Sequence, residues 1–211
     1  MRNAMKTMRK ACFFVFVLLA PALAQNWMQK DPSPAVTGPA YALSFGYSKL
    51  SMEIPGARHV SLNGLDLSGH LDFNSRWGAV LDTSYARTHN IPGTPHAGYA
   101  LTSNIGPVFY PIEFGGTRVF VHALGGAALV DGAVPQSKTD YYQGWLGRPS
   151  YALGGGVEQS VSGPFAVRVS GDYLRTSFFN ATGAVHPQNN LRLTASIVFR
   201  VRQHRSGTKL R

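Results

Sequence analysis

Asp66, Asp82 and Asp172 with Arg168 are the residues of this chain best suited to acid–base chemistry, because carboxylates held in one enclosure change each other's affinity for protons. Ser170, Asp172 and His70 imitate the members of a hydrolytic triad. No supporting motif accompanies them. The chain lacks G-x-S-x-G, H-E-x-x-H and a Walker-type glycine loop, and its single cysteine, Cys12, lies in the N-terminal apolar run. Strict alternation generates such triples freely, so no catalytic residue is expected. His89, His96 and His186 could bring imidazoles to zinc or copper, but their spacing matches no compact ligand motif, and neither a metal nor a cofactor is expected. Gly125-Gly126 and Gly154-Gly155-Gly156 lie inside strand patterns, where they read as bends or close backbone approach, not phosphate cradles. The candidate recognition residues are Tyr141, Tyr142 and Trp145, set among Gly, Gln, Ser and Lys in the stretch 131–150, since exposed aromatics on loops commonly make binding surfaces. Their alternative role is to fold back onto a rim or dip into lipid.

The elements that must carry these side chains are strands. Near the C-terminus Leu191, Leu193, Ala195, Ile197, Phe199 and Val201 alternate with Arg192, Thr194, Ser196, Arg200 and Arg202, a two-residue period that segregates the two sets to opposite strand faces. Similar alternation predicts eight strands, at about 39–52, 57–72, 77–90, 97–111, 117–130, 149–162, 165–178 and 189–202. Short connections at Asn74-Ser75-Arg76, Glu113 to Gly116 and Ser162-Gly163-Pro164 alternate with longer ones at 91–96, 131–148 and 179–188. Tight turns at one rim and long loops at the other describe an eight-stranded antiparallel up-and-down transmembrane β-barrel. The connection near Glu53 to Gly56 is short on the long-loop side and departs from this rule.

Aromatics bound the apolar faces. Trp77 and Tyr85, Tyr99 and Phe109, and Phe165 and Tyr173 share parity on the third, fourth and seventh strands, eight to ten residues apart. That separation suits strands crossing a hydrocarbon layer with rings at its two interfaces. The opposite parity presents Asp66, Ser68, His70 and Asp72, then Asp82, Glu158, Arg168, Asp172 and Arg192. Acids and guanidinium groups facing one another in a narrow lumen are expected to form charge-assisted pairs that plug it.

The first residues read as an export signal. Arg2, Lys6, Arg9 and Lys10 precede the apolar run Ala11 to Ala20, and Ala22-Leu23-Ala24 offers a small-residue cleavage site. The expected organisation is a signal peptide at 1–24, a leader at 25–38, the barrel at 39–202 and a basic tail at 203–211. Arg200, Arg202, Arg205, Lys209 and Arg211 concentrate positive charge at the end, which argues against a nucleic-acid surface and for a solvated tail near anionic lipid or lipopolysaccharide phosphate.

The opening strand Tyr41-Ala42-Leu43-Ser44-Phe45-Gly46-Tyr47, the hairpin alternation over 39–202 and the closing strand Leu191 to Val201 resemble the small outer-membrane β-barrel proteins of Gram-negative-type bacteria. That group includes relatives of outer membrane proteins A, X and W. The resemblance implies an integral outer-membrane protein in contact with lipid and lipopolysaccharide, with Phe199 as the aromatic of the signal read by the barrel-assembly machinery. In this chain twelve residues follow that aromatic, whereas in the family it usually ends the chain. Nothing similar to the peptidoglycan-binding domain of outer membrane protein A follows. The expected function is a monomeric, non-enzymatic barrel with a structural or surface-recognition role and a surface ligand that the sequence does not name. The alternatives are a narrow channel for small solutes and a soluble periplasmic lipocalin-like carrier.

Overall fold

A computed structural model describes residues 40–54, 58–91, 97–132, 144–179 and 185–201. Eight strands follow one another: β1 (Ala40–Ile54), β2 (Arg58–Asp72), β3 (Trp77–Thr88), β4 (Gly98–Phe114), β5 (Thr117–Asp131), β6 (Leu146–Ser162), β7 (Phe165–Phe179) and β8 (Val185–Val201). Each pairs with its sequence neighbour, and β1 pairs antiparallel with β8, closing the barrel. Closure leaves no sheet edge, which is what permits strands to cross lipid. No described helix is long and apolar enough to cross a membrane. The chain divides into two compact units. One holds 35–113 and 117–211, and the other holds 1–34 with 114–116, of which only 114–116 is described.

The turn at 73–76 is set by Asn74, whose Oδ1 accepts from the backbone N–H groups of Arg76 and Trp77, each at 2.8 Å, a local side-chain bond typical of Asn in turns. Gly115 and Gly116, at φ 57° and 81°, make the β4–β5 connection, where positive φ at both positions suits a two-residue hairpin turn.

Three strand boundaries differ from the sequence expectation by three residues or more. β6 begins at Leu146, so Trp145 is the last residue of the long β5–β6 connection and stands at its base. β8 begins at Val185 and runs through Pro187, which shortens the expected loop at 179–188. β4 continues beyond Pro111 to Phe114. Proline removes one ladder donor but leaves the extended backbone intact, so Pro111 and Pro187 are both carried within strands.

Candidate functional site

Alternation decides what faces inward. On β3 the exposed residues Trp77, Leu81 and Tyr85 alternate with buried Val80, Asp82 and Ser84. On β8 exposed Leu191, Leu193, Ile197 and Phe199 alternate with buried Arg192, Thr194, Ser196 and Val198. The same rule leaves Leu43, Phe45, Leu65, Leu67, Ile105, Leu153 and Val169 bare on the outside.

The interior holds two polar clusters. Arg192, 1% exposed, is the hub of the first. It donates to Asp172 Oδ2 from Nε at 2.9 Å and Nη2 at 2.7 Å, and from Nη1 to Asp82 Oδ1 at 2.6 Å and Ser84 Oγ at 3.1 Å. Asp66 Oδ2 stands 3.7 Å from Nη1. Asp172 also meets His122 Nε2 at 2.7 Å through its other oxygen. The two-pronged contact with Asp172 uses the planar fork that lysine lacks.

The second cluster lies nearer the short turns. Arg168 donates to Glu158 Oε2 from Nε at 2.8 Å, while Arg200 Nε reaches Glu158 Oε1 at 3.1 Å and Arg200 Nη1 reaches Ser160 at 2.8 Å. His70 lies against the Arg168 guanidinium and 3.1 Å from Ser68 Oγ, which meets Ser44 Oγ at 2.5 Å. Beside it Asp72 accepts from Arg118 Nη1 at 2.9 Å and Tyr110 Oη at 3.0 Å. The Arg118 guanidinium sits 3.7 Å from the Tyr110 ring centroid, a cation–π arrangement.

The seven charged and imidazole groups expected inside, Asp66, His70, Asp82, Glu158, Arg168, Asp172 and Arg192, are therefore all buried and lie in these clusters. The sequence reading missed His122, Arg118 and Tyr110. Carrying the two-residue rule along β5 through Phe120 and Leu124 places His122 and Arg118 on the same side.

Two expectations need correction. Arg200 does not belong to a solvated basic tail: it lies within β8, one residue before its end, and its side chain turns inward to Glu158 with 29% exposure. The lumen is also not uniformly polar. Towards the long-loop end Leu50, Met52, Val60, Leu62, Ile91, Val130, Leu174 and Phe178 are all buried. A barrel interior closed to water packs like any other core, so apolar residues are admitted on the inner face as well as the outer.

On the exterior, Trp77 packs on Phe109 with ring centroids 4.7 Å apart, and Phe165 on Phe199 at 5.5 Å, both near the short-turn end. Towards the loop end Tyr85 and Tyr99 lie 6.4 Å apart, and Trp145 lies 6.4 Å from Tyr99. Tyr173 is exposed on β7. Trp145, 49% exposed, thus rests at the rim against Tyr99. Tyr141 and Tyr142 lie outside the described residues, as do His96 and the side chain of His186. Among the described residues no group of three His, Cys, Asp or Glu side chains could hold a metal ion.

No protein-family model matches this sequence, and no curated protein matches it. Solved structures do. The attachment invasion locus protein Ail of Yersinia pestis is 17% identical with a TM-score of 0.52, covering 78% of this chain and 100% of its own. Neisserial surface protein A is 10% identical with a TM-score of 0.56, covering 79% of this chain and 99% of its own. The outer membrane protein OprG of Pseudomonas aeruginosa is 10% identical with a TM-score of 0.50, covering 79% and 97%. Likeness at such identities speaks for the fold, that of the small outer-membrane barrels. The membrane location follows from the exterior: so large an apolar surface is untenable in water, and the bacterial outer membrane is where closed single-chain barrels of this kind reside.

Proposed function

We propose that this protein is a non-enzymatic, monomeric outer-membrane barrel whose lumen is filled and whose role is structural or recognitional through its outer rim. The observation that carries this reading is Arg192 on β8, 1% exposed and bonded to Asp172 on the neighbouring β7 and, across the barrel, to Asp82 on β3. A guanidinium tied to opposite walls is a crossbar, and the apolar residues above it leave little room for a hydrated column. A small-solute channel would need both to part. A lipocalin-like carrier would need the outside wetted, and the exposed leucines, isoleucines and valines on every strand face argue against it.

Within this reading Trp77, Phe109, Phe165 and Phe199 mark the periplasmic interface, and Tyr85, Tyr99 and Tyr173 the outer one, where amphipathic rings are most stable. Phe199 serves as the aromatic of the assembly signal. Residues 1–24 direct export, 25–38 lead into the barrel, and 203–211 form a periplasmic basic tail. Single-channel recording in planar bilayers tests the filled lumen. The purified barrel is expected to give no reproducible conductance steps, and regular steps of one size would favour the channel.

A further inference from the structure

Lipid-facing positions of a barrel are apolar for good reason, since a cation at the bilayer midplane costs about 2–4 kcal/mol. Among the described residues three outward positions are nevertheless cationic, and they share a pattern. On β1, β3 and β7, strands that all run towards the long-loop end, an exposed tyrosine is followed two residues later by an exposed cation: Tyr47 and Lys49, Tyr85 and Arg87, Tyr173 and Arg175. Two residues advance about 7 Å along a strand on the same face, so each cation stands beyond a ring at the edge of the apolar band. Among the described residues none of the three pairs with a carboxylate.

Two of these cations belong to one row. Lys49 is opposite Asn63, and Asn63 is opposite Arg87, which is opposite Tyr99. Asn63 is engaged by Tyr47, whose hydroxyl donates to its Oδ1 at 2.6 Å. Tyr85, Tyr99 and Trp145 continue the row as a series of neighbouring rings. Cations with hydrogen-bonding amides beside them suit phosphate, and a run of aromatic faces beside a cation suits a sugar.

We propose that the Lys49–Asn63–Arg87 row, with Tyr99 and Trp145 as its wall, is a binding site for the phosphorylated sugar headgroup of an outer-leaflet glycolipid. The juxtaposition supplies charge complementarity for a phosphomonoester and a stacking surface for the adjoining ring. It sits where a headgroup, and not an acyl chain, would lie. This proposal rests on the outer-membrane reading above.

The test uses the full chain expressed into the envelope, purified in detergent and reconstituted in zwitterionic nanodiscs. Binding is followed by tryptophan fluorescence on titration with purified lipopolysaccharide, dephosphorylated lipopolysaccharide and phosphatidylglycerol. Lipopolysaccharide is expected to bind at least tenfold more tightly than either of the others. Lys49→Ala with Arg87→Ala should remove about tenfold or more of that affinity, the scale of two interfacial cations. Arg76→Ala, at the exposed turn of the other rim, should change nothing, and Lys49→Arg should retain binding. Equal binding of the dephosphorylated form, or of phosphatidylglycerol, would overturn the proposal, as would an undiminished affinity in the double variant. Heat-modifiable migration of each variant on gels shows separately that the barrel has folded. Its absence in the unsubstituted protein would contradict the outer-membrane reading itself.

Discussion

At the scale of single residues, the interior is decided by whether each buried charge has a partner. Arg192 offers its guanidinium to Asp172, Asp82 and Ser84 and stands near Asp66. Removing it leaves three carboxylates buried together, and breaking a buried pair by deleting one partner costs about 3–5 kcal/mol. Arg192→Leu is therefore expected to lose at least that much stability in urea unfolding from lipid vesicles. The acids around it should not be equivalent. Asp172 receives two bonds from Arg192 and one contact from His122, whereas Asp66 Oδ2 is buried without a hydrogen bond. Asp172→Asn should be the more damaging change, and Asp66→Asn should stay within about 1 kcal/mol of the unsubstituted protein. A reversed ranking would mean that Asp66, not Asp172, anchors the crossbar.

At the scale of elements, curvature is limited by how closely neighbouring backbones approach. A methyl added at Gly64 on β2 would lie 1.8 Å from the Tyr85 carbonyl oxygen on β3, and one at Gly125 on β5 would meet nothing nearer than the Tyr151 ring at 3.8 Å. Gly64→Ala should therefore destabilise by about 1–3 kcal/mol, while Gly125→Ala should be neutral or gain a few tenths by stiffening the unfolded chain. Equal unfolding midpoints for the two variants would show that β2 and β3 can separate without penalty. These elements were largely legible beforehand. The period of two on β3, β7 and β8 gave faces as well as strands, because lipid outside demands apolar side chains at every second position. Ends were less legible: Leu146 and Pro187 lie in strands expected to begin only near 149 and 189, and β4 runs past its expected end at 111 to Phe114. The inward face was half legible. Charged residues there stand out against the pattern, but Leu50, Met52, Val60 and Leu62 are apolar like the lipid-facing set, and only register separates them. Arg200 was misread because a cation near a basic terminus looks solvated until Glu158 is seen two strands away on β6.

At the scale of the whole molecule, the described barrel has two apolar zones, one facing lipid outside and one packed inside towards the long-loop end, with the ion pairs in the lumen below it. Such a closed sheet resists detergent until heated, so unboiled and boiled samples should migrate differently on gels, and identical migration would argue against closure. The central claim is the direction each side chain faces. Single spin labels at Leu81, Ile105, Val169 and Ile197, all exposed on the described exterior, are to be compared in bilayers with labels at Ser84 and Thr194, which face the interior. The exterior set is predicted to collide readily with oxygen, which concentrates in lipid, and weakly with a water-soluble nickel chelate. The interior set is predicted to be shielded from both. High nickel accessibility at Leu81, Ile105, Val169 and Ile197 would place those residues in water and contradict the account.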